Sequence, residues 1–224
     1  MEFYFKLPCD LTGINPTQKW VTTLLRRNPD LTGWPIFIDL WNARHPEYRP
    51  VIKDGVWEAR IFQETDEYDG GKDFWRIDGR RGMFYAARAF EDDTSPRNPN
   101  KRRTLEFGLV VLRVAETISV ANAFANHLCR DVEKAAVPLT WKWSGLEGRL
   151  LSSWAGPEFG LYDERFSSSD VASSSLSIPL SLTNDQVAVR TSEVVKPLFL
   201  CFDGWECSLE TIGQLVSRMY SRRL

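Results

Sequence analysis

From Val111 onward the apolar positions Val114, Ala115, Ile118, Ala121, Ala125 and Leu128 recur at spacings of three and four. Arg113, Glu116, Asn122 and Asn126 fall on the opposite side. This spacing predicts one long amphipathic helix. It constrains the fold more than any other feature, because most of the apolar runs around it have period two. In "GVWEARIFQ", Trp57, Ala59 and Ile61 alternate with Glu58 and Arg60, as in a strand with one buried face. "DFWRIDGRRGMFYAARAF" reads as a strand pair turning at Asp78, Gly79 and Gly82, and after Pro138 "LTWKWSGLEGRLLSSW" reads as strand, glycine turn, strand. In "VASSSLSIPLSL" the apolar Leu176, Ile178, Leu180 and Leu182 alternate with Ser173, Ser175, Ser177 and Ser181, and Pro179 favours an edge or a bulge.

Further helices are predicted at both ends. Asn15, Pro16 and Gln18 form a cap, a first helical position and a capping box ahead of the stripe Trp20, Val21, Leu24 and Leu25, and "RRNPD" ends it. Residues 184–202 read as helix, kinked or restarted by Pro197. Ser208 then caps a last helix through Leu209, Ile212, Leu215, Val216 and Met219. "EDDTSPRNPNKRR" reads as a solvated loop, and "TDEYDGGKD" as an acidic connection. The predicted fold is α+β, a mostly antiparallel sheet with about four helices in one domain over residues 1–224. "FWRIDGRRGMFY" (74–85) and "TWKWSGLEGRLL" (140–151) align without gaps. They suggest a pseudo-repeat of three strands plus one helix, with halves 31–130 and 138–224.

A chain of 224 residues can bury roughly 70% of its unfolded surface in a single core. The net charge of -2 gives no general argument for nucleic acid or an anionic membrane. The start "MEFYFKLPCD" lacks the pattern of a signal peptide, and no run of ~18 uninterrupted apolar residues is present, so no membrane partner is expected. Cys9, Cys129, Cys201 and Cys207 have no CxxC spacing, which weighs against zinc, and reduced thiols in a cytoplasmic setting are expected.

Catalytic chemistry is poorly represented. There is no G-x-S-x-G, Walker loop or GxGxxG, and the two histidines, His45 and His127, read as loop and helix-end residues. Glu58 and Asp73 on neighbouring strands could hold a metal as in nucleases, but Arg60 stands where a lysine is wanted and cannot act as a base. No catalytic residue, metal ligand or cofactor is therefore assigned.

The nine tryptophans point to binding instead. In "LTGWPIFIDLW" the expectation is core at Ile36 and Ile38 and a pocket or interface at Trp34 and Trp41. "FWR" and "WKW" add Trp75, Arg76, Trp141 and Lys142 as ligand or partner contacts, and Arg80, Arg81, Lys101, Arg102 and Arg103 could touch phosphates.

The succession "LTGWP", "DGVWEARI", "DFWRIDGRRGMFYAARAFEDD", "WSGLEGRLLSSWA", "DVASSSLSIP" and "VVKPLFLCFDGWECSLE" resembles the C-terminal region of bacterial regulators whose N-terminal part is a Schlafen-type AlbA-like domain. The resemblance covers nearly the whole chain from Leu31. In that family the N-terminal domain is the part credited with binding nucleotide or nucleic acid, and here Met1 leads directly into "EFYFKLP". The resemblance implies a bacterial cytoplasmic setting in regulation or defence, and it assigns no residue a role. Three functions are expected as alternatives: a non-enzymatic sensor or interaction module for a protein partner, effector or small ligand; a nucleic-acid accessory module; and a hydrolase or nuclease using Glu58 and Asp73.

Overall fold

The computed structural model describes residues 1–29, 31–62, 72–129 and 135–221. The expected "TDEYDGGKD" connection lies mostly outside them. The fold is α+β. A seven-strand antiparallel sheet is built from β1 (Glu2–Lys6), β2 (Val51–Lys53), β3 (Val56–Phe62), β4 (Lys72–Asp78), β5 (Met83–Ala87), β7 (Ala136–Ser144) and β9 (Val171–Pro179). Its order is β2-β3-β4-β5-β1-β7-β9. A separate parallel pair joins β6 (Thr104–Glu106) to β8 (Leu150–Ser152). The helices are α1 (Gln18–Leu25), α2 (Glu91–Thr94), α3 (Phe107–Leu128), α4 (Asn184–Leu200) and α5 (Leu209–Ser221).

Side chains in a strand alternate between faces, so each inward anchor sends its neighbours outward. Phe3 and Phe5 of β1, Ala59 of β3, Trp75 and Ile77 of β4, Phe84 of β5 and Trp141 and Trp143 of β7 are all buried on the helix side. Phe124 of α3 packs against Phe5, Phe37 and Phe84, with ring centroids 5.3–6.3 Å apart. By length and composition α3 could cross a membrane, but most of it is buried inside the protein, where it forms the spine of the core. Among the described residues no helix covers the opposite face of the sheet, and β1 and β7 show the strict alternation of burial that this implies.

Several expectations hold. Trp57, Ala59 and Ile61 are buried in β3, although Glu58 at 6% exposure is buried as well; β9 is an edge strand, Pro197 lies inside α4, and Ser208 Oγ accepts the Thr211 N–H at 3.0 Å. In the opening segment Ile36 is core as expected, together with Phe37, whereas Ile38, also expected in the core, is half-buried. An unforeseen hairpin joins β2 to β3 through Asp54 and Gly55, whose positive φ values are those of the tight turn that Asp-Gly favours.

Others are corrected. The first helix is capped by Thr17 rather than Asn15: the Thr17 hydroxyl accepts the Trp20 N–H, while the Pro16 carbonyl is taken by the Trp57 indole at 2.5 Å. The two similar segments differ in structure. Residues 74–85 do form the β4–β5 hairpin, but β7 and β8 do not pair, because β8 turns away to lie beside β6. "EDDTSPRNPNKRR" is no mere solvated loop, since it contains α2 and buries Asp92 and Asn98. Cys9 and Cys129 are joined as a disulfide between the segment after β1 and the end of α3, whereas reduced thiols were expected. Cys201 and Cys207 are free.

Candidate functional site

The uncovered face of the sheet is ordered by register. One row of directly opposed residues runs Val51, Glu58, Arg76, Tyr85, Tyr4, Thr140 and Ser175. The next runs Arg60, Phe74, Ala87, Glu2, Lys142 and Ser173. Lys6 lies opposite Met83, and Lys53 opposite Val56, on the same side. The centre of this face is thus aromatic, and cations stand beside the rings.

Its geometry follows from the buried face. With Trp75 fixed in the core, Phe74 and Arg76 must point outward. With Trp141 and Trp143 inside, Lys142 must do the same, and Phe3 and Phe5 expel Tyr4. Phe74 and Tyr85 are tilted neighbours with centroids 5.9 Å apart, and the Arg60 guanidinium lies over the Phe74 ring at 5.6 Å. The Tyr85 hydroxyl donates to Glu2 at 3.1 Å. Burial, followed by this carboxylate, pushes the phenol up to about 12, so it remains a donor at neutral pH.

A depression of about 400 Å³ in this face is lined by Tyr4, Phe74, Arg76, Arg81, Met83 and Tyr85 among others. Arg81 reaches it from the β4–β5 turn, where Asp78 accepts both the Arg80 and Arg81 backbone N–H groups and the Arg81 guanidinium. Gly82, at φ +61°, seats that turn against Leu7 and Leu11, where a Cβ would come within 3.1 Å of the Leu11 side chain.

Charge on the face is unequal. Among the described residues the cations are Lys6, Lys53, Arg60, Arg76, Arg81 and Lys142, against the carboxylates of Glu2, Glu58 and Asp78. Glu58 lies between Arg60 and Arg76 at 3.6 and 3.7 Å, and Asp78 is held by Arg81. Among the described residues no ion pair engages Lys6, Lys53 or Lys142.

The expected site residues are thereby divided. Arg76, Arg81 and Lys142 come together on the open face, with Arg80 on the adjoining turn. Trp75 and Trp141 lie in the core, at 2% and 0% exposure, and present nothing to a partner. Trp41 is half-buried and packs edge-on against Trp57, with centroids 5.0 Å apart. Lys101, Arg102 and Arg103 precede β6, which is not one of the seven strands. Tyr4, Phe74, Tyr85, Arg60 and Lys6 were missed as site residues, although "EFYFK" and "DFWRID" carry the alternation that exposes them.

Trp34 is 40% exposed and also ties the opening segment to the fold. Its indole donates to Asp73 at 2.8 Å, and its carbonyl accepts from both Arg88 and Arg113. Arg88 also binds Asp73, while Arg113 joins Glu91, Glu116 and Thr32. Trp34 is therefore a strut of a polar network behind the sheet, and Trp34→Phe is expected to cost about 1 kcal/mol through the lost indole bond, read as a shift in urea midpoint. Asp73 points into this network from beside Ile61, whereas Glu58 is on the open face, so the two carboxylates cannot share a metal. Among the described residues no group of three or more His, Cys, Asp or Glu is placed to hold one.

Comparisons with models of protein families, with curated proteins and with solved structures return no match.

Proposed function

We propose that this protein is a non-catalytic binding module that takes single-stranded nucleic acid on the open face of its sheet. The observation that carries this reading is the register itself: Phe74, Tyr85 and Tyr4 on three adjacent strands, with Arg60, Arg76 and Lys142 at flanking positions. Unpaired bases stack on exposed aromatic rings without demanding a particular sequence, and phosphates seek the cations that track beside them. A duplex would offer its bases no access to so flat a surface. The reading joins two of the functions expected from sequence, a binding module and a nucleic-acid accessory, and moves them from the tryptophans to residues the tryptophans orient. The proposed setting is a bacterial regulatory or defence system, as the sequence resemblance implies, with an effector responding to occupancy.

Base stacking on one aromatic residue contributes about 1–3 kcal/mol, so Phe74→Ala is expected to weaken binding of a labelled oligothymidylate about 5- to 150-fold in an anisotropy titration. Phe74 is half-buried on the open side, and the variant should keep the parent circular-dichroism spectrum. Lys101→Ala, on the segment before β6, should bind like the parent. Equal losses at both positions would point to net charge alone and remove the face as the site.

A further inference from the structure

A second cavity, of about 460 Å³, opens between α2, the first turns of α3, the turn at residues 154–159 and α5. Leu109, Leu112, Leu215, Trp154 and Phe159 give it apolar walls. Its size is that of a small-molecule pocket, and such pockets typically combine apolar walls with a few polar groups.

The polar groups are unevenly engaged. Arg113 is committed to Glu91 and Glu116, and Arg218 to Glu158. Arg97 lines the same cavity, and among the described residues nothing pairs with its guanidinium. Glu106 lies at 1% exposure with one carboxyl oxygen accepting the Leu109 N–H at 2.5 Å, and among the described residues no ion pair links it to a cation. The charged groups around it are Glu91 and Asp92 of α2, Arg113 of α3, and Arg218 of α5. Burial, then the neighbouring Asp92 and Glu91, pushes Glu106 up to about 8, so it is protonated at neutral pH. With Arg113 and Arg218 held by carboxylates, Arg97 is, among the described residues, the cation lining the cavity whose guanidinium is left for a ligand.

We propose that this cavity binds a small organic monoanion with an apolar body, an aryl or medium-chain alkyl carboxylate, its head on Arg97 and its body against Trp154, Phe159 and Leu215. Glu106 lines the same space, where its neutral form sets no charge against the anion. This site is separate from the open sheet face, and its occupation does not depend on the nucleic-acid reading.

The test is isothermal titration of the purified chain with phenylacetate and octanoate, and with phenylacetamide and octanamide as neutral counterparts. At pH 7 at least one carboxylate is expected to bind, and its amide to bind at least tenfold more weakly. Arg97→Ala, an exposed position whose loss should leave the melting temperature unchanged, is expected to weaken the carboxylate at least tenfold. Between pH 7 and 9 the parent should lose affinity as Glu106 ionises, and Glu106→Gln should show no such loss. Absence of binding by both carboxylates, equal binding of acid and amide, or unchanged binding in Arg97→Ala would each overturn the proposal.

Discussion

Arg113→Met is expected to destabilise the protein by about 3–5 kcal/mol, the usual cost of removing one partner from a buried ionic network. The Arg113 guanidinium donates to Glu91, Glu116, Thr32 and the Trp34 carbonyl. The Glu116 side chain is 0% exposed, and burial already pushes its carboxyl upward while Arg113 opposes that shift. Without the arginine, Glu116 must either remain charged while buried, with the Thr32 hydroxyl still donating to it, or take up a proton. The segment carrying Thr32 and Trp34 would also lose its anchor on α3. In a urea titration the midpoint should fall, and adding Glu116→Leu should recover much of the loss, because an apolar pair of similar volume tolerates the site better than a lone buried charge. A single variant as stable as the parent would show that this network does not hold the opening segment.

The second large effect concerns Glu106. Its carboxyl is about 8 in the folded protein against an ordinary 4.5. The folded state therefore holds one more proton than the unfolded state between these values, and folding stability falls as pH rises through that window. The contribution is fully present below about pH 4.5 and lost above about pH 8, by roughly 1.4 kcal/mol per pH unit, several kcal/mol in all as an upper bound. Glu106→Gln keeps an acceptor for the Leu109 N–H but cannot ionise. Melting curves at pH 5 and pH 9 should show the variant gaining on the parent at the higher pH by several degrees or more. Parallel curves across that range would mean that the Glu106 carboxyl is not held neutral.

Period-two patterning made much of this fold legible. The buried apolar positions of β3, the one-sided burial of β9 and the Ser208 cap follow from alternation and hydrogen-bonding residue types that act over a few positions. The same rule also identifies the open face, and the error in choosing site residues was local. In "FWR" and "WKW" the tryptophan and its basic neighbour were assigned to one surface, although adjacent strand residues point to opposite faces. Because Trp75 and Trp141 are inside, Arg76 and Lys142 are outside.

Long-range partners were not legible. Asp92 looked like a loop carboxylate, but it is buried by Thr104 and by Trp154, whose indole reaches it from 62 residues away. Arg149 likewise reaches Asp93 across 56 residues. The Cys9–Cys129 bond spans 120 residues and has no spacing signature. The 140–151 segment matched a hairpin in residue pattern, yet its second strand found β6, a choice made by tertiary packing and not by the glycines at the turn.

The open face stands or falls on one measurement: anisotropy of a labelled single-stranded oligonucleotide with the purified chain, starting at about 20 mM salt and repeated at increasing concentrations. If Arg60, Arg76, Lys142 and one further cation each neutralise a phosphate, the affinity should fall log-linearly with a slope near −3, and a duplex of the same length should bind more weakly. Absence of binding at the lowest salt, or equal affinity for duplex and single strand, would contradict a face built for unpaired bases.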